Sequence, residues 1–437
     1  MPAAFSNLTP VKVAELCSNQ RGFLAATGQG RALRDHDRQR PSGECSTRVS
    51  WDRVAAFRLS RHHLGGRANR NSMTAMAGKM GGAQAQILLA GQMSVGARVC
   101  GVTLSDLDRA LWNDRTLVKA WCMRRTMFLL PSSELALFVR GSALRAEREV
   151  RWVLSKGVPV RDLERLVEEV LQALSAPITQ TALAQDVGKS LGLRVTYGSG
   201  GGWGSRRRIP HVRVGPLALP STYLLHLAGA RGVYCSGPNA GTETTFVRAD
   251  RWVPHWKDVE QREAERDLVI RYLRAFGPAN ASDFATWTGM TARDAQKAWS
   301  SAEGEMAEVD VEGERGMVLW EDVSELSSAS LDGPTVKLLP FFDSFLLGHR
   351  SHRNIVGPAE HRYVYRQAGW VSPVLLVNGR AAGVWSHVRK GRGLEIAIRP
   401  FARLSNRIAS MVYEEAGELG RFLGCANVAT ELLTPTA

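Results

Sequence analysis

The six cysteines of this chain, Cys17, Cys45, Cys100, Cys122, Cys235 and Cys425, are scattered and contain no C-x-x-C pair. That spacing excludes a zinc ribbon and a disulfide-framed secreted domain, both of which need closely grouped sulfurs. There is no run of about 18 apolar residues, the length a bilayer-spanning helix requires, and no continuous apolar segment near the N-terminus of the kind a secretory signal needs. The expected compartment is the cytoplasm. His62, His63, His349 and His352 are accompanied by no helical His-Glu set, so the sequence offers no metal site and implies no cofactor.

Acidic residues are also in short supply. Lys and Arg number 56 against 42 Asp and Glu, a formal charge of +14 at pH 7. An excess of this size suits a polyanion such as DNA or RNA, or an anionic membrane surface. A generally arginine-rich proteome would give the same excess, so charge alone does not choose. The 437 residues, 44% of them hydrophobic and 22% charged, are enough for two to four globular domains with a sizeable core.

Residues 1–50 are polar and charge-dense around Arg31–Arg40, and are expected to be a disordered extension or the product of a start assigned too far upstream. From Trp51 the pattern changes. Residues 51–150 read as a first winged helix: Val54, Phe57 and Leu59 share a helical face, and a second helix near Ser72–Lys79 leads to Gly81-Gly82. Thr103 and Asp106 then suit a cap, and the apolar run Leu117–Leu130 is strand-like. Residues 151–258 repeat the order, with an amphipathic helix over Leu163–Leu174, a short helix and turn over Thr179–Gly188, and a hairpin formed by Gly232–Pro238 and Thr244–Arg248. Residues 259–333 give a third copy: a helix over Glu265–Phe276, a cap at Ser282-Asp283, a turn at Gly289, and an alternating hairpin over Glu308–Trp320. Residues 334–437 are β-rich, with Asn378-Gly379 as a hairpin turn and a closing helix over Asn406–Leu423. The fold class read from this order is α+β, tandem winged helix-turn-helix units on a β-rich C-terminal scaffold. Such units bind nucleic acid or other proteins.

The stretch with the most chemical interest is Gly82-Ala83-Gln84-Ala85-Gln86. Each carboxamide offers a donor and an acceptor, so the pair can aim a water molecule without ionising. A solvated or helix-capping pair is the plainer alternative. Together with Trp121-Cys122-Met123-Arg124-Arg125-Thr126, Gly237-Pro238, Phe276-Gly277-Pro278, Leu338-Leu339-Pro340-Phe341-Phe342-Asp343, Asn378-Gly379-Arg380 and Gly383-Val384-Trp385, it carries a resemblance. From Trp51 onward the chain resembles the bacterial winged-helix DNA glycosylases of the AlkZ/YcaQ type. Gln-x-Gln matches the AlkZ-like branch. Arg125 departs from the family pattern, which has glycine there.

The resemblance implies a monofunctional DNA glycosylase that hydrolyses the N-glycosidic bond of N7-alkylated purines, including interstrand crosslinks and bulky genotoxin adducts. Its partner would be double-stranded DNA and its place the nucleoid-associated cytoplasm; separately, tandem modules in one chain reduce the need for a dimer, so a monomer is the expected state. Gln84 and Gln86 would be catalytic. No lysine is needed, so strand cleavage by lyase chemistry is not expected. Arg124, Arg125, Arg206, Arg207, Arg208, Lys390 and Arg392 are candidate DNA contacts; for Arg124 the alternative is a buried ion pair, and for the Gly198–Arg208 loop a solvated turn. Asp343, a lone acid in an apolar run, would either stabilise the cationic sugar or, the preferred reading, cap a helix or bind a backbone amide. The competing function is a non-catalytic winged-helix DNA-binding protein or regulator.

Overall fold

The computed structural model describes residues 47–142, 146–199, 208–229 and 232–435. The chain divides into two compact units. The larger comprises Thr47–Ser142, Cys235–Pro238 and Trp252–Ala437, and the described part of the smaller lies in Ala143–Tyr234 and Asn239–Arg251. Two of the helix-and-hairpin segments read from sequence and the C-terminal β-rich segment therefore share one unit.

In the larger unit, Ser50 caps the helix Trp51–Arg61 by accepting from the Arg53 amide. Helices Met73–Lys79, Leu88–Gly96 and Leu104–Trp112 follow. The last begins with a reciprocal capping box between Thr103 and Asp106, as the residue types require. The apolar run after it is a hairpin of Leu117–Trp121 and Met127–Pro131, extended to three strands by Ala83–Gln84 on the far side of Met127–Pro131. A second set of helices, Gln261–Phe276, Ala281–Thr288 and Ala292–Ser300, leads to the hairpin Met306–Val311 and Glu314–Leu319. Here the capping residue is Asn280, paired with Asp283 in a box, so the helix starts earlier than the Ser282-Asp283 reading placed it.

Thr47–Val49 pairs in parallel with Met306–Val311. Thr47–Val49, within the segment expected to be a disordered extension, is thus a strand; residues 1–46 lie outside the described residues. Only a partner some 260 positions away, Val309 for Thr47, makes this strand, and no local pattern announces it. The C-terminal sheet has the order Val336–Leu339, Val374–Val377, Arg380–Lys390, Gly393–Pro400, Asn427–Leu432. Asn378 and Gly379 both have positive φ, 50° and 79°, the geometry for which Asn-Gly is selected in a two-residue hairpin. The helix Asn406–Leu423 runs between a Ser405 cap and Gly424 in the left-handed conformation. One apolar core joins Met76, Ala83, Ala85, Leu111 and Leu129 to Leu338, Trp385, Ile396 and Phe422.

The smaller unit has helices Ala146–Ser155, Val160–Ala173, Gln180–Leu191 and Ser221–Ala228. In Val160–Ala173 the residues Leu163, Leu166, Val167 and Val170 are buried at helical spacing. The helix after Thr179 is longer than read: it passes through Gly188 and ends at Gly192, which has φ 64°. Strands Ile178–Thr179 and Glu243–Arg248 pair antiparallel. Val195–Ser199, Arg208–Val214 and Leu217–Pro220 form a separate sheet, which the sequence reading did not anticipate.

Candidate functional site

The glutamine motif lies in the larger unit and is set by the turn before it. Gly81 and Gly82 have φ of 74° and 85°, and a Cβ on Gly82 would stand 2.9 Å from Phe128 Cδ1. Both the backbone conformation and the space demand glycine. The Ser344 hydroxyl donates to the Gly82 carbonyl and pins the turn. The chain then enters the short strand Ala83–Gln84, with Gln84 opposite Phe128. The Ala85 amide donates to Met127 O at 2.6 Å, so pairing continues one residue further. On the other side, a Cβ on Gly91 would meet Ala85 Cβ at 2.8 Å and Gln84 O at 3.1 Å, so helix Leu88–Gly96 lies directly against the motif.

The two glutamines sit in different surroundings. Gln84 is 7% exposed, and its Oε1 accepts from Arg124 Nη2 at 2.9 Å. A guanidinium has only donors, so the atom facing Arg124 must be the oxygen, and the carboxamide is held one way round. Its NH2 has no protein acceptor among the described residues. Gln86 is exposed; its Oε1 accepts from the Met127 amide at a long 3.4 Å.

Arg124 is placed by unusual backbone. It and Arg125 occupy the turn between Trp121 and Met127 with φ of 52° and 56°. Its Nη1 donates to Trp287 O, Nη2 to Gln84, and its guanidinium carbon lies 5.4 Å from the centre of the Phe128 ring. Burial lowers its pKa to about 10, so it remains charged at neutral pH. Arg124 is half-buried, and it bridges the motif to the end of helix Ala281–Thr288; the buried ion pair offered as its alternative is not seen among the described residues. Arg125 is exposed on the same turn. Its left-handed φ gives a physical reason for a glycine at that position, since Cβ crowds the carbonyl there.

Asp343 takes the structural alternative and not the sugar-stabilising one. It is 0% exposed. Oδ1 accepts from Arg98 Nη2 at 2.7 Å and from the Phe345 amide at 3.0 Å, and Oδ2 from Arg98 Nη1 at 2.8 Å and Ser94 Oγ at 2.7 Å. Every favourable acceptor direction is taken and no surface is left to meet a sugar, so its role is to cap Ser344–Leu346 and neutralise Arg98. Arg98 and Ser94 had no signal in the sequence; nothing local marks a cation that will be fully buried 245 positions from its partner.

The remaining expected contacts lie on separate elements. Lys390 and Arg392 are exposed at the tip of the hairpin Arg380–Lys390 and Gly393–Pro400, and Lys390 pairs with Glu395 at 2.9 Å. Arg208 is exposed at the start of its strand in the smaller unit and donates to Tyr197 O. Arg206 and Arg207 lie outside the described residues. His62 and His349 are buried, each bonded through Nε2 to a carbonyl, of Ala275 and Phe276 respectively.

Residues 77–422, the glutamine motif included, match the family described as DNA glycosylase AlkZ-like. An interstrand DNA cross-link repair glycosylase of Streptomyces sahachiroi is 31% identical over 402 residues, covering 88% of this chain and all of that protein. The solved structure of Streptomyces sahachiroi DNA glycosylase AlkZ superposes with a TM-score of 0.70 at 27% identity, over 89% of this chain and 100% of that one. The chain belongs to the AlkZ-like DNA glycosylase family, and it is a DNA N-glycosylase.

Proposed function

We propose that this glycosylase hydrolyses the N-glycosidic bond of N7-alkylated purines in double-stranded DNA, interstrand crosslinks and bulky adducts included, with Gln84 and Gln86 positioning the water. Alkylation at N7 puts positive charge on the purine, so the base departs neutral. Little acid catalysis is needed, and the chain's task is to aim water at C1′ of the sugar. The water oxygen bonds to C1′, the electron pair of the broken C–N bond returns to the base, and the water's proton leaves to solvent.

The observation that carries this reading is the one-way orientation of Gln84 by Arg124. With its oxygen committed, Gln84 offers an N–H to the water oxygen, while the exposed Gln86 oxygen, only weakly engaged by Met127, accepts a hydrogen from the same water. Gln84 thereby holds the water and Gln86 turns it. Neither group is a nucleophile toward the sugar, which fits a monofunctional glycosylase without lyase activity. The relative's name, an interstrand DNA cross-link repair glycosylase, supports crosslinks within the substrate range. A formal charge of +14 supports duplex DNA as the partner and makes affinity fall steeply with salt. We assign a monomer as the working form.

The test is base release from duplexes carrying N7-methylguanine or a defined N7-guanine crosslink. Wild type should produce abasic sites, and the Gln84→Ala, Gln86→Ala double variant should bind the same duplex with unchanged salt dependence and release no base above background. Full activity in the double variant would remove the glutamines from the chemistry. Salt-sensitive binding without release by wild type, over several lesions, would favour a DNA-binding protein without catalysis.

A further inference from the structure

The larger unit contains a cavity of about 380 Å³ that the glutamine chemistry does not use. Its walls come from helix Trp51–Arg61, the first turn of Ala281–Thr288, the turn of the Met306–Leu319 hairpin, and the loop from His349 to Ile355. Arg58 stands in its wall and is only 7% exposed. Arg58 Nε donates to Gly277 O at 3.3 Å and Nη2 to Pro278 O at 2.7 Å. Trp51, also in the wall, has its ring 5.9 Å from the guanidinium carbon. No described carboxylate pairs with Arg58, and Nη1 has no protein acceptor among the described residues.

Carbonyls satisfy donors but do not neutralise a charge, and Asp283 favours the charged form of Arg58 through the cavity without bonding to it, so the guanidinium is buried without a direct ion pair. Burial lowers the Arg58 pKa only to about 10, so the charge persists at neutral pH. Arg315, Arg350 and Arg353 line the same cavity, against two carboxylates, Asp283 and Glu314. Both acids are already engaged. Asp283 accepts the amides of Arg350 at 2.9 Å and Asn280 at 3.2 Å, and Glu314 pairs with Arg353 at 2.9 Å. Four arginines stand against Asp283 and Glu314, with Glu308 3.9 Å from Arg315 as a third, outlying carboxylate, so the cavity keeps a positive balance with one nearly buried guanidinium edge unspent.

We propose that this cavity binds a phosphoryl group, with Arg58 as its buried anchor and Arg315 and Arg350 closing on the oxygens from the rim. The proposal rests on the DNA-glycosylase reading only for the source it favours, a backbone phosphate of the DNA; the same chemistry admits a free phosphate or nucleotide. The placement suits the first source. Helix Ala281–Thr288 presents its first turn to the cavity, and Trp287 near its other end holds Arg124. Eight helical residues span about 12 Å, so one short rigid element connects a phosphate clamp to the residue that orients Gln84.

Two readouts test this, neither of which uses base release. The first is the shift in Tm caused by inorganic phosphate at constant ionic strength, read as the difference between wild type and variant because phosphate stabilises folded proteins generally. The second is the slope of log affinity against log salt for an unmodified duplex. Arg350→Ala and Arg315→Ala should each abolish the phosphate-specific shift and lower the slope by about one. Arg58→Lys, which keeps the charge and loses the fork, should weaken the phosphate response, while Arg407→Ala, an exposed arginine elsewhere, should leave it unchanged. A lowered slope identifies DNA as the source; a phosphate shift with an unchanged slope identifies a free phosphate compound. Equal phosphate responses and equal slopes in wild type and the cavity variants overturn the proposal, and because the duplex is undamaged they leave the chemistry of Gln84 and Gln86 untouched.

Discussion

Asp343→Asn separates a structural acid from a catalytic one. Asparagine preserves shape but removes the charge that neutralises Arg98, whose side chain, like that of Asp343, is 0% exposed. Breaking a buried pair by removing one partner costs about 3–5 kcal/mol. That is a large part of the roughly 5–15 kcal/mol by which domains of ordinary stability stay folded. In denaturant titrations the midpoint should fall sharply, whereas Arg98→Met with Asp343→Leu, which removes both charges, should recover much of the loss. Below its own midpoint the Asn variant should retain base release within a few-fold of wild type.

The acid limb gives a second readout of the same pair. Burial by itself pushes the Asp343 carboxyl up, but the Arg98 charge and hydrogen bonds, with those from Ser94 and Phe345, outweigh it and hold the folded value below the usual 3.8. The pair's stabilisation is therefore fully present above the unfolded value and lost as pH falls through the lower folded one. The stability gap between wild type and Asp343→Asn should be constant near neutrality and close in strong acid. An Asn variant with an unchanged midpoint but base release reduced 100-fold or more would refute the reasoning and return Asp343 to the sugar.

Arg124→Met removes the hydrogen bond that fixes Gln84. At about 1.5–3 kcal/mol for a bond to a charged group, single-turnover base release should slow by roughly one to two decades with little change in duplex affinity. Lysine at this position cannot span both Trp287 O and Gln84 Oε1 with a fork and should rescue only in part; a large loss of affinity instead would mark Arg124 as a phosphate contact. Arg125→Gly relieves a left-handed non-glycine residue and should stabilise the fold by about 1 kcal/mol in thermal unfolding. If Arg125 also meets DNA, the same variant should lower the salt slope by about one, and a destabilised Arg125→Gly would show that the side chain contributes more than its backbone costs.

Local signals in the sequence determined much of this protein. The Thr103–Asp106 box, the Asn378-Gly379 turn, the bounds of Asn406–Leu423 and the position of the glutamine pair after Gly81-Gly82 are each encoded within a few residues, where capping and positive φ leave little choice. The tertiary structure decided what those segments do. Strand Thr47–Val49 exists only because Met306–Val311 receives it, and Asn427–Leu432 only because Gly393–Pro400 does. Asp343 became a buried anchor because Arg98 came to meet it, and Arg124 became the keeper of Gln84 because the Trp287 carbonyl lay within reach of its second nitrogen. Caps and turns depend on neighbours in the chain, whereas the partner of a buried charge or a parallel strand is chosen by packing, which a linear reading does not contain.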